Sequence, residues 1–479
     1  MAGPPRVGRQ RQQLRREPRR IESSDNDEST ARSLGDAAAR RLATPSPGAN
    51  PESPRGPARM NTRRRSAHAP LTPSHGPSHG SRAPFGRVAL RCASTPAALT
   101  MLAAVAALVL LPFPSDGRGL AAPAGTTAGE GEADDAEDRF LSRTRRLIFE
   151  GRRSGEGYFS PDGSQMVFQA EREEGNPFYQ IYRLDLESGE TRRISPGIGK
   201  TTCSFIQPGT GNVLYASTHH DPASEELQRA ELEFRASGEE RRYSWDYDPE
   251  FDIWVADPES GEQRRLTDAR GYDAEGAYSP DGEWIVFSSM RDAYGRDLSP
   301  EEQRQLEVDP SFFAELYIMR ADGSDQRRLT HTDGYDGGPF FFPDGERIVW
   351  RRFDTSGLIA DVWSMKPDGS DQKQITDFGA MSWAPYVHPS GEYILFASNK
   401  HGFSNFEVFI VDVEGVKEPV RVTTTDGFDG LPVPTPDGGR LVWTSNRHQG
   451  EGAHLYIAEW NHQAAREALA AAPPRRAAR

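Results

Sequence analysis

The sequence predicts an all-β protein, a six-bladed β-propeller made of four-stranded blades. Three observations support this fold: a Pro-Gly turn recurs six times, similar strands follow every turn, and one residue interval is constant throughout. In such turns proline presets the first corner and glycine supplies the positive φ that a tight hairpin needs. The six turns are Ser160-Pro161-Asp162-Gly163, Gln207-Pro208-Gly209, Ser279-Pro280-Asp281-Gly282, Phe342-Pro343-Asp344-Gly345, His388-Pro389-Ser390-Gly391 and Thr435-Pro436-Asp437-Gly438.

Each turn leads into two strands rich in β-branched and aromatic residues. The first is typified by Trp284-Ile285-Val286-Phe287, and the second pairs an aliphatic with an aromatic residue, as in Leu316-Tyr317. A further turn such as Ala321–Asp325 then precedes a short outer strand, here Arg327–Thr330. With the strand before the turn, each repeat therefore holds four strands, the content of one propeller blade.

A constant interval fixes the number of blades and predicts how the ring closes. Six aliphatic residues each stand thirteen positions before the first residue of a turn: Leu147, Ile194, Leu266, Leu329, Ile375 and Val422. The last repeat lacks an outer strand, because Asn461–Ala472 is predicted to form a short helix. The spare strand at Arg145–Phe149 should therefore complete the last blade and close the ring, which removes the open sheet edges. The predicted propeller spans residues 144–460, and residues 461–479 form a C-terminal tail.

The chain ahead of the propeller divides into three predicted segments. Residues 1–86 are rich in Arg, Pro, Ser, Gly and Ala without apolar periodicity, which predicts a disordered extension. Residues 87–124 contain the apolar run Ala97–Leu111 and a small-x-small site at Ala122–Ala124, which is typical of a signal peptide. An uncleaved membrane anchor is the alternative. Residues 125–143 form an acidic linker, and the propeller is expected to be periplasmic or extracellular, or held outside the cytoplasm at the inner membrane.

Charge is divided unevenly and restricts the class of partner. The first 91 residues contain 18 Arg and 7 acidic residues, whereas residues 125–479 contain 38 basic and 63 acidic residues, a net charge of −25. An acidic body argues against nucleic-acid binding, which needs clustered Lys and Arg, and favours a basic or neutral protein or peptide. The two cysteines, Cys92 and Cys203, offer no disulfide framework, and Cys203 is predicted to be a buried small hydrophobe.

These repeats resemble a known family. The Ser-Pro-Asp-Gly turn, the aliphatic-aromatic strand and the segment Asp322–Thr330 are similar to the WD-like Pro-Asp repeat of the TolB-like propellers. The resemblance covers about residues 144–460 and specifies the fold more than the function. It does not extend to the N-terminal α/β domain of TolB, for which the short linker leaves no room. The segments Lys200–Cys203 and Ser217–His219 are also similar to propellers linked to zinc aminopeptidases.

The candidate binding site lies on the loop-rich face, the end of the ring where the loops between successive blades open. Three of these loops repeat a Gly-aromatic-Asp motif, and Asp273, Asp336 and Asp429 are predicted to form a ring of carboxylates that binds a basic partner or a cation. The preceding aromatics are Tyr272, Tyr335 and Phe428. In the alternative interpretation, each Asp holds its own loop and each aromatic packs between blades.

Two long insertions, at about 219–250 and 290–314, extend the same face and are expected to contribute to binding. The first contains Tyr243, Trp245 and Tyr247, aromatic residues of the kind that anchor interfaces. The second begins Ser299-Pro300-Glu301-Glu302, the signature of a capped helix.

No catalytic residues, metal or cofactor are predicted. Gly76–Gly80 matches a nucleophile elbow but lacks the flanking strand and helix, and no His-Glu-x-x-His motif is present. His219 and His220 lie in a loop of the loop-rich face and are included among the binding residues. A metal is not predicted on them, because adjacent histidines on an extended chain point in opposite directions and a catalytic metal site usually takes three protein ligands. The sequence thus predicts a non-enzymatic, exported interaction propeller. An accessory propeller that gates a separate peptidase is one alternative, and a metal-dependent oligosaccharide lyase is another.

Overall fold

A computed structural model of the chain describes residues 136–239, 245–447 and 452–475. The predicted extension (1–86), the signal segment (87–124) and most of the linker (125–143) lie outside the described residues. Within the described ranges, none of the helices combines the length and apolar character that crossing a membrane requires.

The described residues form six antiparallel sheets of four strands, arranged as the blades of a propeller. The prediction of a six-bladed all-β fold is confirmed. From the axis outward, the first blade consists of β2 (Arg153–Phe159), β3 (Gln165–Glu171), β4 (Gln180–Asp185) and β5 (Thr191–Arg193). The second blade consists of β6 (Thr201–Ile206), β7 (Val213–Ser217), β8 (Asp252–Ala256) and β9 (Gln263–Arg265). The third blade consists of β10 (Ala274–Tyr278), β11 (Trp284–Ser289), β12 (Glu315–Arg320) and β13 (Arg327–Arg328). The fourth blade consists of β14 (Asp336–Phe341), β15 (Ile348–Phe353), β16 (Ala360–Met365) and β17 (Lys373–Gln374). The fifth blade consists of β18 (Ser382–Val387), β19 (Tyr393–Ser398), β20 (Glu407–Asp412) and β21 (Val420–Arg421). The sixth blade consists of β22 (Asp429–Pro434), β23 (Arg440–Ser445), β24 (His454–Trp460) and β1 (Leu141–Arg146).

The first strand closes the ring, as predicted. Strand β1 pairs antiparallel with β24, and its register sets Leu141 opposite Trp460. The strand begins at Leu141, four residues before the predicted start, because Phe140 and Leu141 are buried and the Phe140 ring stacks on Trp460 at 6.0 Å. The last residues assigned to the linker therefore belong to the folded propeller.

Helices occur in the insertions and after the last blade. They are α1 (Ser224–Ser237), α2 (Arg291–Gly295), α3 (Pro300–Val308), a 3-10 helix (Pro310–Phe313) and α4 (His462–Ala471). Ser299 caps α3 through the predicted capping box with Glu302. Helix α4 matches the predicted C-terminal helix and buries Ala465 and Leu469 against the last two blades, so the C-terminal segment is partly folded onto the propeller.

Every innermost strand contains a β-bulge, and the bulges determine which side chains face the axis. The register with the second strand shifts at the same place in all six blades. One residue at each shift has a positive φ, and it stands four positions before the first residue of the turn. These bulge residues are Glu156, Cys203, Glu275, Gly338, Ala384 and Leu431.

An aromatic plug fills the axis on the side of the Pro-Asp-Gly turns. It is formed by Tyr158, Phe205, Phe340 and Tyr386, each two residues after a bulge residue, with ring centroids 5.0–6.3 Å apart in the contacting pairs. Tyr158 and Phe340 belong to opposite blades and meet across the axis at 5.3 Å. The axial space between the bulge residues is therefore closed on the turn side.

Candidate functional site

The three predicted acidic residues lie at the loop-rich end of the innermost strands, but they are buried. Asp273 and Asp336 have no exposed surface and Asp429 is 1% exposed. Each forms an ion pair with an arginine that lies at the end of the second strand of its own blade or within two residues beyond it. The N–O distances are 2.5 Å for Asp273–Arg291, 2.7 Å for Asp336–Arg352 and 2.8 Å for Asp429–Arg447.

Further hydrogen bonds satisfy these carboxylates. The indole N–H groups of Trp350 and Trp443 donate to Asp336 at 2.9 Å and to Asp429 at 3.1 Å. Burial raises the pKa of Asp273 and of Asp429, although their arginine partners oppose the shift. The expectation of an open carboxylate ring is therefore corrected: the geometry matches the alternative in which each Asp holds its own loop.

The aromatics of the repeated motif pack inside the protein. Tyr272 contacts the ring of Phe251 from the preceding blade at 5.4 Å, and Phe428 contacts Phe406 from the preceding blade at 5.7 Å. Tyr335 stacks on Phe353 at 5.6 Å with an interplanar angle of 8°. All three are buried, so they join neighbouring elements on the loop-rich face.

Part of the first insertion packs onto this aromatic layer. The Trp245 indole donates to the Tyr272 hydroxyl at 3.0 Å, and Tyr247 meets Tyr272 and Tyr335 edge-on at 5.3 and 5.8 Å. Both side chains are half-buried, and Tyr243 lies outside the described residues. Lys200 pairs with the two acids that flank Tyr247, Asp246 and Asp248, at 2.5 and 2.8 Å.

The two histidines are separated from this layer and do not converge on one point. His219 Nδ1 lies 2.9 Å from the Ser217 hydroxyl and its ring packs on Trp254, while His220 Nε2 lies 3.2 Å from Asp252. Burial lowers the pKa of His219 to about 4 and also lowers that of His220. Among residues 136–239, 245–447 and 452–475, no three His, Cys, Asp or Glu side chains are grouped closely enough to hold a metal.

The bulge residues form a site that the sequence analysis missed. We call the region defined by the neighbouring side chains of Glu156, Cys203, Glu275 and Arg351, on the loop-rich side of the plug, the axial chamber. Glu156 and Glu275 are half-buried, whereas Arg351 is 6% exposed. The sequence does contain a signal for three of these residues: Glu156, Cys203 and Glu275 each stand four positions before the first residue of a Pro-Gly turn.

Glu275 is paired within the chamber. It accepts hydrogen bonds from the Tyr335 hydroxyl, from the Gly338 backbone N–H at 2.6 Å and from Arg351 Nη2 at 2.8 Å. Arg351 also lies over the rings of Tyr335 and Trp383, at 4.7 and 5.5 Å from their centroids. Glycine at 338 makes room for the guanidinium, since a Cβ atom there would lie 2.0 Å from Arg351 Nη1.

Glu156 differs from Glu275 because no described Lys or Arg lies within ion-pairing distance of it. Its carboxylate accepts a hydrogen bond from the Tyr158 hydroxyl at 3.1 Å, at the edge of the plug. Burial raises the pKa of Glu156 from 4.5 to about 7. Burial and the neighbouring Glu156 and Glu275 raise the pKa of the Cys203 thiol, which keeps that thiol protonated and poorly nucleophilic.

No protein-family model matches the chain. A stretch of 109 residues, 23% of the chain, is 31% identical to an uncharacterized protein of Agrobacterium fabrum and covers 31% of it. A stretch of 148 residues, 29% of the chain, is 26% identical to the uncharacterized peptidase YuxL of Bacillus subtilis and covers 22% of it. The matched segments thus span about a third and a fifth of these relatives.

Several solved structures are similar to the chain at low identity, each with a TM-score below 0.5. TolB of Acinetobacter baumannii has a TM-score of 0.43 at 15% identity, with 64% of this chain and 63% of that chain covered. A gluconolactonase of Xanthomonas campestris has a TM-score of 0.45 at 14% identity, with 78% and 100% covered. An oligogalacturonate lyase of Vibrio parahaemolyticus has a TM-score of 0.41 at 14% identity, with 67% and 94% covered. These similarities carry no information about activity.

Proposed function

We propose that this chain is a non-enzymatic, TolB-like propeller of the bacterial cell envelope that binds a protein or peptide at the axial chamber. The observation that carries the proposal is Glu156, an axial carboxylate that forms no ion pair with any described Lys or Arg and has a pKa of about 7. A basic or neutral group of the partner would enter from the loop-rich face. The proposed binding site is therefore the axial chamber and not the ring of Asp273, Asp336 and Asp429 that the sequence predicted. The proposed partner is still a basic or neutral protein or peptide.

The chamber provides a closed end and aromatic walls for such a group. The plug centred on Tyr158 blocks the axis, so an inserted side chain would be gripped rather than passed through. Half-buried Tyr247 and Trp383 lie near the entrance, and aromatic side chains commonly anchor protein interfaces. The net charge of −25 in residues 125–479 would attract a basic partner and speed encounter.

The location in the envelope is proposed from the sequence. The apolar run Ala97–Leu111 follows a strongly basic stretch, as in export signals, and it lies outside the described residues. We propose no cofactor and no nucleic-acid partner. We also expect no turnover of simple esters or peptides by the purified protein, because the nucleophile-elbow match at Gly76–Gly80 lacks the flanking strand and helix and the sequence contains no His-Glu-x-x-His motif.

An accessory propeller for a separate peptidase is a second candidate. Its specific support is the 148-residue similarity to a protein whose name describes it as a peptidase. If the propeller filtered substrates through its axis, the plug would have to open. Replacing Tyr158 and Phe340 with Ala would then increase hydrolysis of long peptides by the cognate peptidase, whereas a gripping chamber predicts no such increase.

The proposal is tested with a partner captured from envelope extract, identified by mass spectrometry and purified. Its binding to the propeller is titrated at pH 6 and pH 8 for wild type and for Glu156→Gln. The ionised fraction of a carboxyl with a pKa of about 7 rises about tenfold across this range, so a cationic group should bind wild type about tenfold more tightly at pH 8. Glu156→Gln should remove that pH dependence.

The matched control is Asp162→Asn, a change of the same kind in an exposed turn on the opposite face, which should leave both affinities unchanged. If Glu156→Gln bound the partner as tightly as wild type at pH 8 and with the same pH profile, the axial chamber would not be the binding site.

A further inference from the structure

An apolar surface lies on the loop-rich face, on the fourth and fifth blades. Leu358 and Ile359, in the loop between β15 and β16, are 38% and 36% exposed, and Phe403, in the loop between β19 and β20, is 52% exposed. Eight large apolar side chains are exposed among the described residues, and three of them lie in these two loops. We call Leu358, Ile359, Phe403 and the half-buried Phe378 between them the apolar patch.

The loop that connects the two blades makes the apolar patch continuous. The Ala360 N–H, at the end of the first exposed loop, donates to the Ala380 carbonyl of the connecting loop at 3.3 Å. Phe378 belongs to the same connecting loop, and its carbonyl accepts a hydrogen bond from Lys400 Nζ at 2.7 Å. The Lys400 ammonium also lies 5.0 Å from the centroid of the Phe378 ring. The two exposed loops therefore adjoin each other through the connecting loop, whereas apolar residues scattered singly over a surface would need no explanation.

Trp383 connects the apolar patch to the axial chamber. Its half-buried ring lies 5.5 Å from the Arg351 guanidinium of the chamber and 6.4 Å from the ring of Phe406. Phe406 follows directly on the loop that carries Phe403. The chamber and the patch are therefore neighbours on one face, close enough for a single segment of a partner to contact both.

The apolar patch contains little unpaired charge, unlike the body as a whole. Asp354 accepts a hydrogen bond from the Ser356 hydroxyl of its own loop at 2.6 Å, and Asp377 lies 3.9 Å from Arg475. Residues 125–479 carry a net charge of −25, which attracts cations to the protein. An apolar patch beside an acidic chamber is complementary to a segment that presents apolar and basic side chains on one face.

We infer that the apolar patch binds the apolar side chains of a basic amphipathic segment of the partner protein, whose cationic group enters the axial chamber. The position of the cationic group rests on the proposed function, whereas the patch is defined by exposure and packing alone. A purely basic tail would leave the patch in contact with water and gain nothing from it, so the inference narrows the class of partner.

The test is calorimetric titration of the full chain with a short amphipathic peptide of Leu and Lys, and with the same peptide after every Leu is replaced by Gln. We expect the Leu-Lys peptide to bind about tenfold more tightly than its Gln analogue. Phe403→Ser and Ile359→Ser should each weaken binding of the Leu-Lys peptide about tenfold, equally at pH 6 and pH 8, because burial of an apolar side chain does not depend on charge. Both positions are exposed, so the variants should fold like wild type.

Matched controls exist at exposed apolar positions outside the patch. Phe149→Ser makes the same change at a 71% exposed position in the loop between the sixth and first blades, and Val416→Ser changes a 57% exposed position on the opposite face. Both should bind the Leu-Lys peptide like wild type. Equal affinity for the two peptides, or a Phe403→Ser effect no larger than that of Phe149→Ser, would overturn the inference.

Glu156→Gln, titrated in parallel, separates this inference from the proposed function. If Glu156→Gln removes the pH dependence but Phe403→Ser binds like wild type, the chamber is retained and the patch is rejected. If Phe403→Ser weakens binding but Glu156→Gln leaves the pH profile unchanged, the patch is retained and the chamber is rejected. Self-association of wild type, or its binding to phosphatidylglycerol vesicles, that Phe403→Ser abolishes would assign the patch to a second copy or to a membrane and would overturn the inference.

Discussion

The innermost strands of the ring carry acidic residues at two positions that lie two residues apart along the chain. At the first position, at or just before the start of the strand, Asp273, Asp336 and Asp429 are buried, and each is paired with an arginine of its own blade. Glu156 and Glu275 lie at the bulges, face the axis and are half-buried. Glu275 has a cationic partner in Arg351, whereas Glu156 has none within the described residues.

The difference between the two sets follows from repetition. Each buried Asp occurs in a blade that also contains its arginine, so the pair repeats as a unit and stabilises the loop between blades. The bulge position holds six residues of five chemical kinds, from Glu to Leu, so the scaffold does not require any one of them there. We infer that in this ring a repeated acid is structural, and an acid at a variable axial position is a candidate for binding.

The largest expected effect concerns closure of the ring. Deleting residues 136–149 removes β1, a ladder of about five hydrogen bonds worth roughly 0.5–1.5 kcal/mol each, and exposes the edge of β24. Because total stability is typically about 5–15 kcal/mol, the shortened chain should be unfolded or aggregated. Circular dichroism measures the loss of folded structure and gel filtration measures aggregation. Leu141→Ala is a milder change in the same strand, and Arg143→Ala, at an exposed position of that strand, is its control. A deletion variant that melts like wild type would show that β1 is dispensable.

The second effect concerns a buried acid. Asp336→Asn leaves Arg352 with a buried, poorly compensated charge, and breaking one partner of such a pair costs about 3–5 kcal/mol. Chemical denaturation at pH 7 measures the free energy of unfolding. Asp344→Asn, in an exposed turn, should change it by less than about 0.5 kcal/mol. Equal stabilities for the two variants would contradict the structural role of Asp336.

A smaller effect is expected at the glycine beside Arg351. Gly338→Ala would place a Cβ atom 2.0 Å from Arg351 Nη1, so the guanidinium must move away from Glu275, at a cost of about 1–3 kcal/mol. Gly391→Ala is the matched control, because it also has a positive φ but no atom within 4 Å of the new Cβ. A loss of stability no larger than in this control would show that Arg351 adjusts freely.

The smallest effect concerns Cys203, which is 7% exposed and whose pKa is raised by burial. We expect iodoacetamide to modify it very slowly in the native protein at pH 8 and at a normal thiol rate in denaturant. Mass spectrometry of the peptide that contains Cys203 distinguishes it from Cys92. Rapid modification of the native protein would show that the axial chamber opens more widely than the structure indicates.

The fold was largely predictable because it depends on short-range patterns. The turn residues, the thirteen-residue interval and the capping box at Ser299 are all patterns within a short stretch of sequence. They correctly predicted the hairpin turns, the six blades and helix α3. The start of β1 was misplaced because the burial of Phe140 depends on Trp460, more than 300 positions away in sequence.

The site was predicted less well for a related reason. The Gly-aromatic-Asp motif indicates the loops, but the structural role of each Asp depends on an arginine at or just beyond the end of the next strand. Asp273, Asp336 and Asp429 are followed by Arg291, Arg352 and Arg447 in the same three blades, a co-occurrence visible in the sequence. The bulges were not predicted, since no residue type marks them, and only the spacing to the turns reveals the axial positions.

The most direct test of this contrast is the free energy of unfolding of wild type and Glu156→Gln at pH 4 and pH 8. The pKa of Glu156 is about 7 in the folded state and near 4.5 when unfolded, so the native state binds the proton more tightly, and the contribution of this group to stability is present below 4.5 and is lost as pH rises from there through 7. Glu156→Gln should therefore nearly match wild type at pH 4 and exceed it by about 1–3 kcal/mol at pH 8. A variant less stable than wild type at pH 8, as expected for Asp336→Asn, would contradict the account by showing that Glu156 is a structural acid like the others.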